Sequence, residues 1–302
     1  MRPLSTARTH LRCRVGLLIG MLAMGSPILA AAPSQAGQAK TAVPAGSKLL
    51  TRCFRAMGGE TLIESVQSMA VKGSISMPSH GALEPQVVAS IDMKFAKRKR
   101  SWVSIDVKSD KFTSTTEFGC DGTTAWELER TSTTDGAPPT RTRLLTPSEL
   151  NTRIKANNWL GRVLHLASNA ETMQTTGKVV FNGRDSWAVD ARTLGDLLKV
   201  YFDIETRLIN GFRLEVQMPL DDADTSPEPI YLDLIFDGWK PVQGIKLFHQ
   251  VRILQGQQQI NITYDSIEID TLKPEQFTLP PAIQALVDER KQQASDSATD
   301  PD

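Results

Sequence analysis

The stretch "LLKVYFDIETRLINGFRLEV", residues 197–216, has two readings that lead to different proteins. Asp203 and Glu205 stand two positions apart beside Thr206. They are either paired acids of the kind used in general acid–base chemistry or the point where the chain reverses between two strands. The flanking apolar residues decide. Val200 and Phe202 alternate up to the acid, and Phe212 and Leu214 alternate after Leu208. Asp203 can hold local backbone N–H groups in a turn, and Thr206 can do so more weakly. No third polar group accompanies the pair. The stretch therefore reads as strand, turn and strand, with Glu205 and Arg207 solvated.

The same period of two recurs on both sides. Val71, Gly73, Ile75 and Met77 share one parity; Val87, Ala89, Ile91, Met93 and Phe95 share another run. Val103, Ile105 and Val107 follow, alternating with Ser104, Asp106 and Lys108. "CDGTTAWELE" adds an Asp-Gly turn signal and a strand. Further strands are expected over 178–192, 198–217, 229–237, 245–255 and 257–269. One apolar and one wet face per strand is the pattern of an antiparallel sheet, and about a dozen strands suit one large open or partly closed sheet.

Helical spacing interrupts this pattern twice. Leu49, Leu50, Cys53, Phe54 and Met57 recur at helical intervals before the stop Gly58-Gly59, and "ETLIESVQS" gives a second short helical turn. Thr146, Pro147 and Glu149 make a capping box with proline at the first helical position, so residues 147–169 are expected to be helical. There Trp159, Leu160, Val163, Leu164 and Ala167 form an apolar stripe. It belongs either to a helix packed on a core or to a lid over a cavity. Insertion between two runs of strands favours the lid.

Four arginines and no acids precede the apolar run "VGLLIGMLAMG" (15–25), which is followed by small residues to Ala36. This is the pattern of a secretory signal peptide over 1–36, with cleavage expected before Gly37. The run is short for a membrane span. Removing those four arginines leaves 30 basic residues against 34 acids, a mature charge of −4. The mature chain holds no other apolar run long enough to span a bilayer. An exported soluble protein is expected, with a flexible leader over 37–45, one domain over 46–285 and a disordered tail over 286–302.

Candidate chemical sites are sparse. Cys53 and Cys120 are either a disulfide or two buried thiols. His80, His165 and His249 have no metal-ligand spacing and stand beside no nucleophile signature; His249 reads as a satisfied histidine on a strand. No phosphate loop, metal set, cofactor motif or nucleic-acid footprint is present. "KFAKRKR" (94–100) reads as a solvated hairpin tip or as a contact for anionic headgroups or an acidic partner.

Several motifs together resemble the LolA/LolB-like periplasmic carriers of outer-membrane lipoproteins. The helix ending "AMGG" leads through "LIESVQSMAVKGSISM" into the sheet. "GRDSWAVDA" and "LKVYFDIETRLI" look like that family's strand–turn–strand, "FDGWKPVQGIKLFHQVRI" like a later strand pair, and "ITYDSIEIDTLKPEQFTLP" like its closing strand and exit. Phe248 stands where relatives commonly carry proline. The resemblance covers about residues 46–281. It implies an α+β fold: a curved antiparallel half-barrel of about 11–13 strands with a helical lid on its concave face. It also implies acyl-chain binding without catalysis, in the periplasm or, after export, outside the cell. The partners expected are lipid acyl chains or a lipidated protein, with a monomeric chain.

On this reading, Ile91, Met93, Phe95, Val103, Ile105, Phe212 and Leu214 line one sheet face, and Trp159, Leu160, Val163 and Leu164 face them to hold the lipid. Burying one acyl chain offers up to roughly 10 kcal/mol before ordering costs. The alternative on the same fold is an envelope sensor or regulatory module that binds a protein partner. An enzyme ranks third, because no nucleophile–base pair can be named.

Overall fold

The computed structural model describes residues 43–77, 87–109, 112–133, 140–193, 196–216 and 230–298. The segment expected to be a signal peptide, most of the expected leader, His80 and residues 299–302 lie outside them. Helix α1 (Gly46–Met57) buries Leu49, Leu50, Cys53, Phe54 and Met57, the residues its spacing places on one side. It stops at Gly58, whose φ of 132° is open to glycine and where a Cβ would meet the Gly244 carbonyl oxygen at 2.4 Å. Helix α2 (Glu60–Ser65) is anchored by Ile63.

Six strands then run as consecutive hairpins: β1 (Ser68–Met77), β2 (Val87–Ala96), β3 (Arg100–Lys108), β4 (Phe112–Asp121), β5 (Ala125–Thr133) and β6 (Arg141–Leu144). Three short helices follow: α3 (Pro147–Asn157), α4 (Trp159–Leu164) and α5 (Leu166–Asn169). The second strand run comprises β7 (Ala170–Phe181), β8 (Arg184–Thr193), β9 (Asp196–Asp203), β10 (Ile209–Val216) and β11 (Ile230–Asp237). The short hairpin β12 (Lys240–Val242) and β13 (Ile245–Leu247) precedes β14 (Gln250–Gln255) and β15 (Gln258–Ile269). A 3-10 turn at Pro274–Phe277 and helix α6 (Pro281–Ala298) close the described chain.

Thirteen strands form one antiparallel sheet in the order β6-β5-β4-β3-β2-β1-β15-β14-β11-β10-β9-β8-β7. The two runs are zipped together where β1 pairs with β15. The strands at the two edges, β6 and β7, do not pair with each other, so this is an open α+β half-barrel, as the sequence implies. Edge strands β6 and β7 are joined only by α3–α5. The chain must therefore cross from one edge of the sheet to the other, and the helices lie across one face.

Register identifies that inner face. Ile91 is opposite Gly73, and Ile75 opposite Ile262, which is opposite Val251, itself opposite Phe236. Ile253 is opposite Leu234, which is opposite Phe212, then Val200, then Val189. Over the second strand run, α1 fills this face: a Cβ at Gly46 would touch Val189 at 3.0 Å. Phe212, Phe236 and Phe248 continue the packing, with Phe212 edge-on to Phe236 at 4.9 Å and Phe248 stacked on Phe236 at 4.3 Å. The phenylalanine at 248 is thus a core side chain.

Four expectations need correction. The helical segment 147–169 is broken at Asn158 and His165 into α3, α4 and α5. Strand β7 begins at Ala170, well before 178, because a sheet edge tolerates its polar, exposed residues. The segment 245–255 is two strands with Phe248 and His249 between them, and β13 pairs outside the main sheet. Residues 286–298, expected to be disordered, continue α6. Ile283 and Leu286 hold that helix against Trp102, Trp126, Leu128 and Leu144 on the outer face.

The Asp203 carboxylate accepts from the N–H groups of Glu205 (2.9 Å) and Thr206 (2.8 Å), and the Asp203 N–H donates to the Leu208 carbonyl. Asp203 is 5% exposed and Glu205 is exposed. The pair shapes a turn. Asp203→Ala is expected to cost about 2 kcal/mol through two lost charge-assisted hydrogen bonds. Glu205→Gln is expected to change stability by less than about 0.5 kcal/mol. Denaturant melts of the two variants check both values.

Candidate functional site

Over the first strand run the inner face is only partly filled. A cavity of about 830 Å³ lies between β1–β5 and the crossing helices, within the usual size range of small-molecule sites. Its apolar wall comes from Met69 and Phe95 on the sheet and from Leu150, Ile154 and Leu164 on the helices. Lys97, Lys99 and Arg100 of the β2–β3 hairpin also line it, as do Gln67, Asn151, Asn158 and His165, and among the described residues no carboxylate side chain does. A smaller depression of about 360 Å³, walled partly by Arg52, Arg55 and Arg207, lies between α1 and the Asp203 turn.

The two helices over the cavity are held in different ways. Helix α4 buries Trp159, Leu160, Gly161, Val163 and Leu164. Helix α3 buries no residue; Leu150 and Ile154 are half-buried above the cavity. Its hold is polar. At its start, Thr146 accepts from the Glu149 N–H and the Glu149 carboxylate accepts from the Thr146 N–H at 2.8 Å. Arg143 of β6 bridges Glu149 and Glu127 of β5, both at 2.6 Å. Arg153 of α3 reaches down to the other Glu127 oxygen at 2.5 Å and lies over the Phe118 ring. Near the far end of the segment, Lys155 and Arg162 meet Asp196 of β9 at 2.9 and 3.1 Å. The sheet thus fastens α3 by charge over a space that side chains do not fill.

The Thr146 N–H, then the Arg143 guanidinium and Thr146 hydroxyl, hold the Glu149 carboxyl down at about 2 against an ordinary 4.5. A carboxyl depressed by folding favours the fastened state above its ordinary value and loses that contribution as pH falls through the folded value. Faster hydrogen exchange in α3 is therefore expected as pH drops from 4.5 towards about 2, relative to exchange in the sheet. Equal sensitivity of α3 and the sheet would contradict this.

Of the eleven residues expected to hold lipid, only Phe95 and Leu164 line the cavity. Ile91, Met93, Val103 and Phe212 are buried on the inner face, and Ile105 and Leu214 are half-buried there. Trp159, Leu160 and Val163 are packed core, with Trp159 only 2% exposed. The apolar stripe is thus the foundation of the crossing segment. The apolar helix side chains that line the cavity lie mostly one helix earlier, at the half-buried Leu150 and Ile154. Their spacing of four directly after the capping box was the available signal.

Cys53 and Cys120 are separate buried thiols. Burial pushes the Cys53 thiol up to about 12, and burial also raises Cys120, which stands in the cavity wall. Both are expected to react slowly with thiol reagents in the native mature chain, and both are expected to titrate after denaturation without a reductant. No thiol after denaturation would mean a disulfide. Among the described residues no three His, Cys, Asp or Glu side chains are grouped to hold a metal ion. His249 is half-buried, its Nδ1 at 3.2 Å from the Leu247 carbonyl oxygen.

No protein-family model and no curated protein matches this chain. Solved structures of similar architecture do exist. A LolA superfamily protein from Nitrosomonas europaea has 9% identity and a TM-score of 0.49, over 78% of this chain and 98% of that one. A DUF1329 family protein from Desulfovibrio piger has 11% identity and a TM-score of 0.46, over 77% and 97%. The likeness is one of fold.

Proposed function

We propose that this protein binds lipid acyl chains without catalysis, as a carrier of a lipid or a lipidated protein, after export to the periplasm. The observation that supports it most is the cavity of about 830 Å³ under a helix with no buried residue. A core helix is held by its apolar side chains. A cover that must open is better held by ion pairs, which re-form with water when broken. The lining suits a chain: apolar side chains come from both walls, and the cationic groups come from the β2–β3 hairpin. Each buried methylene contributes about 0.8 kcal/mol, so one chain favours the closed form by up to roughly 10 kcal/mol before ordering costs.

Within the described residues, no helix is long and apolar enough to cross a membrane. Native mass spectrometry of the protein purified from its own envelope tests the reading. One acyl-bearing molecule per chain is the expected result. A bare chain that is held stably by another protein would favour the sensor reading.

A further inference from the structure

The hairpin joining β2 to β3 is the part of the cavity that acyl binding does not explain. Its tip is Lys97-Arg98-Lys99-Arg100. Arg98 and Lys99 take φ values of 64° and 60°. Two successive left-handed residues are the geometry of the tight hairpin turn that Asn-Gly fills most easily, and non-glycine residues there carry a conformational cost. The sequence holds two long cations in those positions. Among the described residues none of the four cations forms an ion pair. Their recorded polar contacts are to carbonyl oxygens: Lys97 to Glu64 at 3.4 Å and Arg100 to Asp121 at 3.3 Å. The nearby Asp121 carboxylate is turned into its own loop, accepting from Thr123 and Thr124.

Lys97, Lys99 and Arg100 all line the cavity. Beside them the wall carries two hydroxyls that the protein does not satisfy. Ser68 and Ser101 are each 6% exposed, and neither hydroxyl has a hydrogen-bond partner. Register puts both beside this hairpin: Ser68 is opposite Ala96 and Ser101 opposite Phe95. A buried hydroxyl without a partner is costly and calls for an explanation. Three cations free of ion pairs and two unsatisfied hydroxyls therefore line the β2–β3 side of a cavity whose remaining polar lining is neutral amide, hydroxyl and imidazole groups, without carboxylates.

We propose that the cavity selects a phospholipid with a net negative headgroup. Its phosphate sits at Lys97, Lys99 and Arg100, and its chain lies under α3. This rests on the acyl-chain reading and adds the headgroup class to it. Phosphate oxygens supply the acceptors that lysine, arginine and serine need.

The test mixes the mature protein with vesicles of phosphatidylglycerol and phosphatidylcholine in equal amounts, removes the vesicles by centrifugation, and weighs the remaining protein by native mass spectrometry. Phosphatidylglycerol complexes are expected to exceed phosphatidylcholine complexes by about tenfold or more, with the excess shrinking at high salt. The paired change Arg98→Asn with Lys99→Gly, which suits the turn, is expected to keep or raise the melting temperature while bringing the ratio towards one. A merely structural tip would not separate those two readouts.

Equal loading of both lipids by the wild type would overturn the headgroup assignment and leave the cavity reading intact. So would a preference that survives both salt and the paired change. Protein that sediments with anionic vesicles but comes away empty is a surface adsorber, and the assignment falls. Failure to load any lipid from any vesicle would remove the acyl-chain reading itself.

Discussion

Trp159→Ala is expected to destabilise the protein by about 4 kcal/mol and to lower its melting temperature by about 10 °C. The indole is 2% exposed, at the start of a helix whose Leu160, Val163 and Leu164 are also buried, and Arg162 lies over its ring. Truncation loses the transfer energy of a large side chain and leaves a void that this packed foundation can only partly close. Trp159 does not line the cavity, so lipid bound per folded molecule is expected to stay close to wild type. A melting temperature within about 2 °C of wild type, with lipid lost, would mean that Trp159 belongs to a loose cover after all.

Glu127→Ala is expected to act on α3 more than on the rest of the fold. Glu127 is 9% exposed and receives both Arg143 and Arg153. Deleting this buried carboxylate removes an ion partner from Arg153, while half-exposed Arg143 keeps Glu149, and costs about 2 kcal/mol, or roughly thirtyfold in an equilibrium constant. That cost is expected in the local opening of α3, which has no buried side chain to share it. Hydrogen exchange resolved by segment is the measurement. Exchange over 147–157 is expected to quicken by up to that factor, with the β1–β15 pairing little changed and bound lipid leaving faster. Uniform acceleration across the sheet would show that Glu127 supports the whole fold and is not a latch.

The antiparallel sheet, the Asp203 turn, α1 and the Thr146 capping box were all legible, because each rests on local chemistry. Alternation marks a sheet face, an aspartate holds the N–H groups two and three residues ahead, and Thr146 with Glu149 satisfies a helix start. Strands β4 and β7 were hard to see because "FTSTTEF" and "AETMQTTGKVV" have little apolar contrast; their identity comes from the neighbours they pair with.

The buried stripe of the crossing segment was legible, but not which side chains line the cavity. Periodicity shows that Trp159 and Val163 are buried, but it does not show what covers them. Whether an apolar side chain meets another side chain or an empty space depends on how the break at Asn158 orients two successive helices. The basic tip was visible as composition. Its place in the cavity wall depends on the β2–β3 register, which sets Ser101 opposite Phe95.

The central claim is that an acyl chain lies between β1–β5 and α3. A fatty acid carrying a photoactivated carbene group near the end of its chain, bound to the mature protein and irradiated, tests it most directly once peptide mass spectrometry maps the attachment sites. Attachment is expected at Met69, Phe95, Leu150, Ile154 and Leu164, the apolar wall. Attachment confined to exposed apolar side chains such as Val180, Leu197 and Tyr231, with that wall unlabelled, would contradict it.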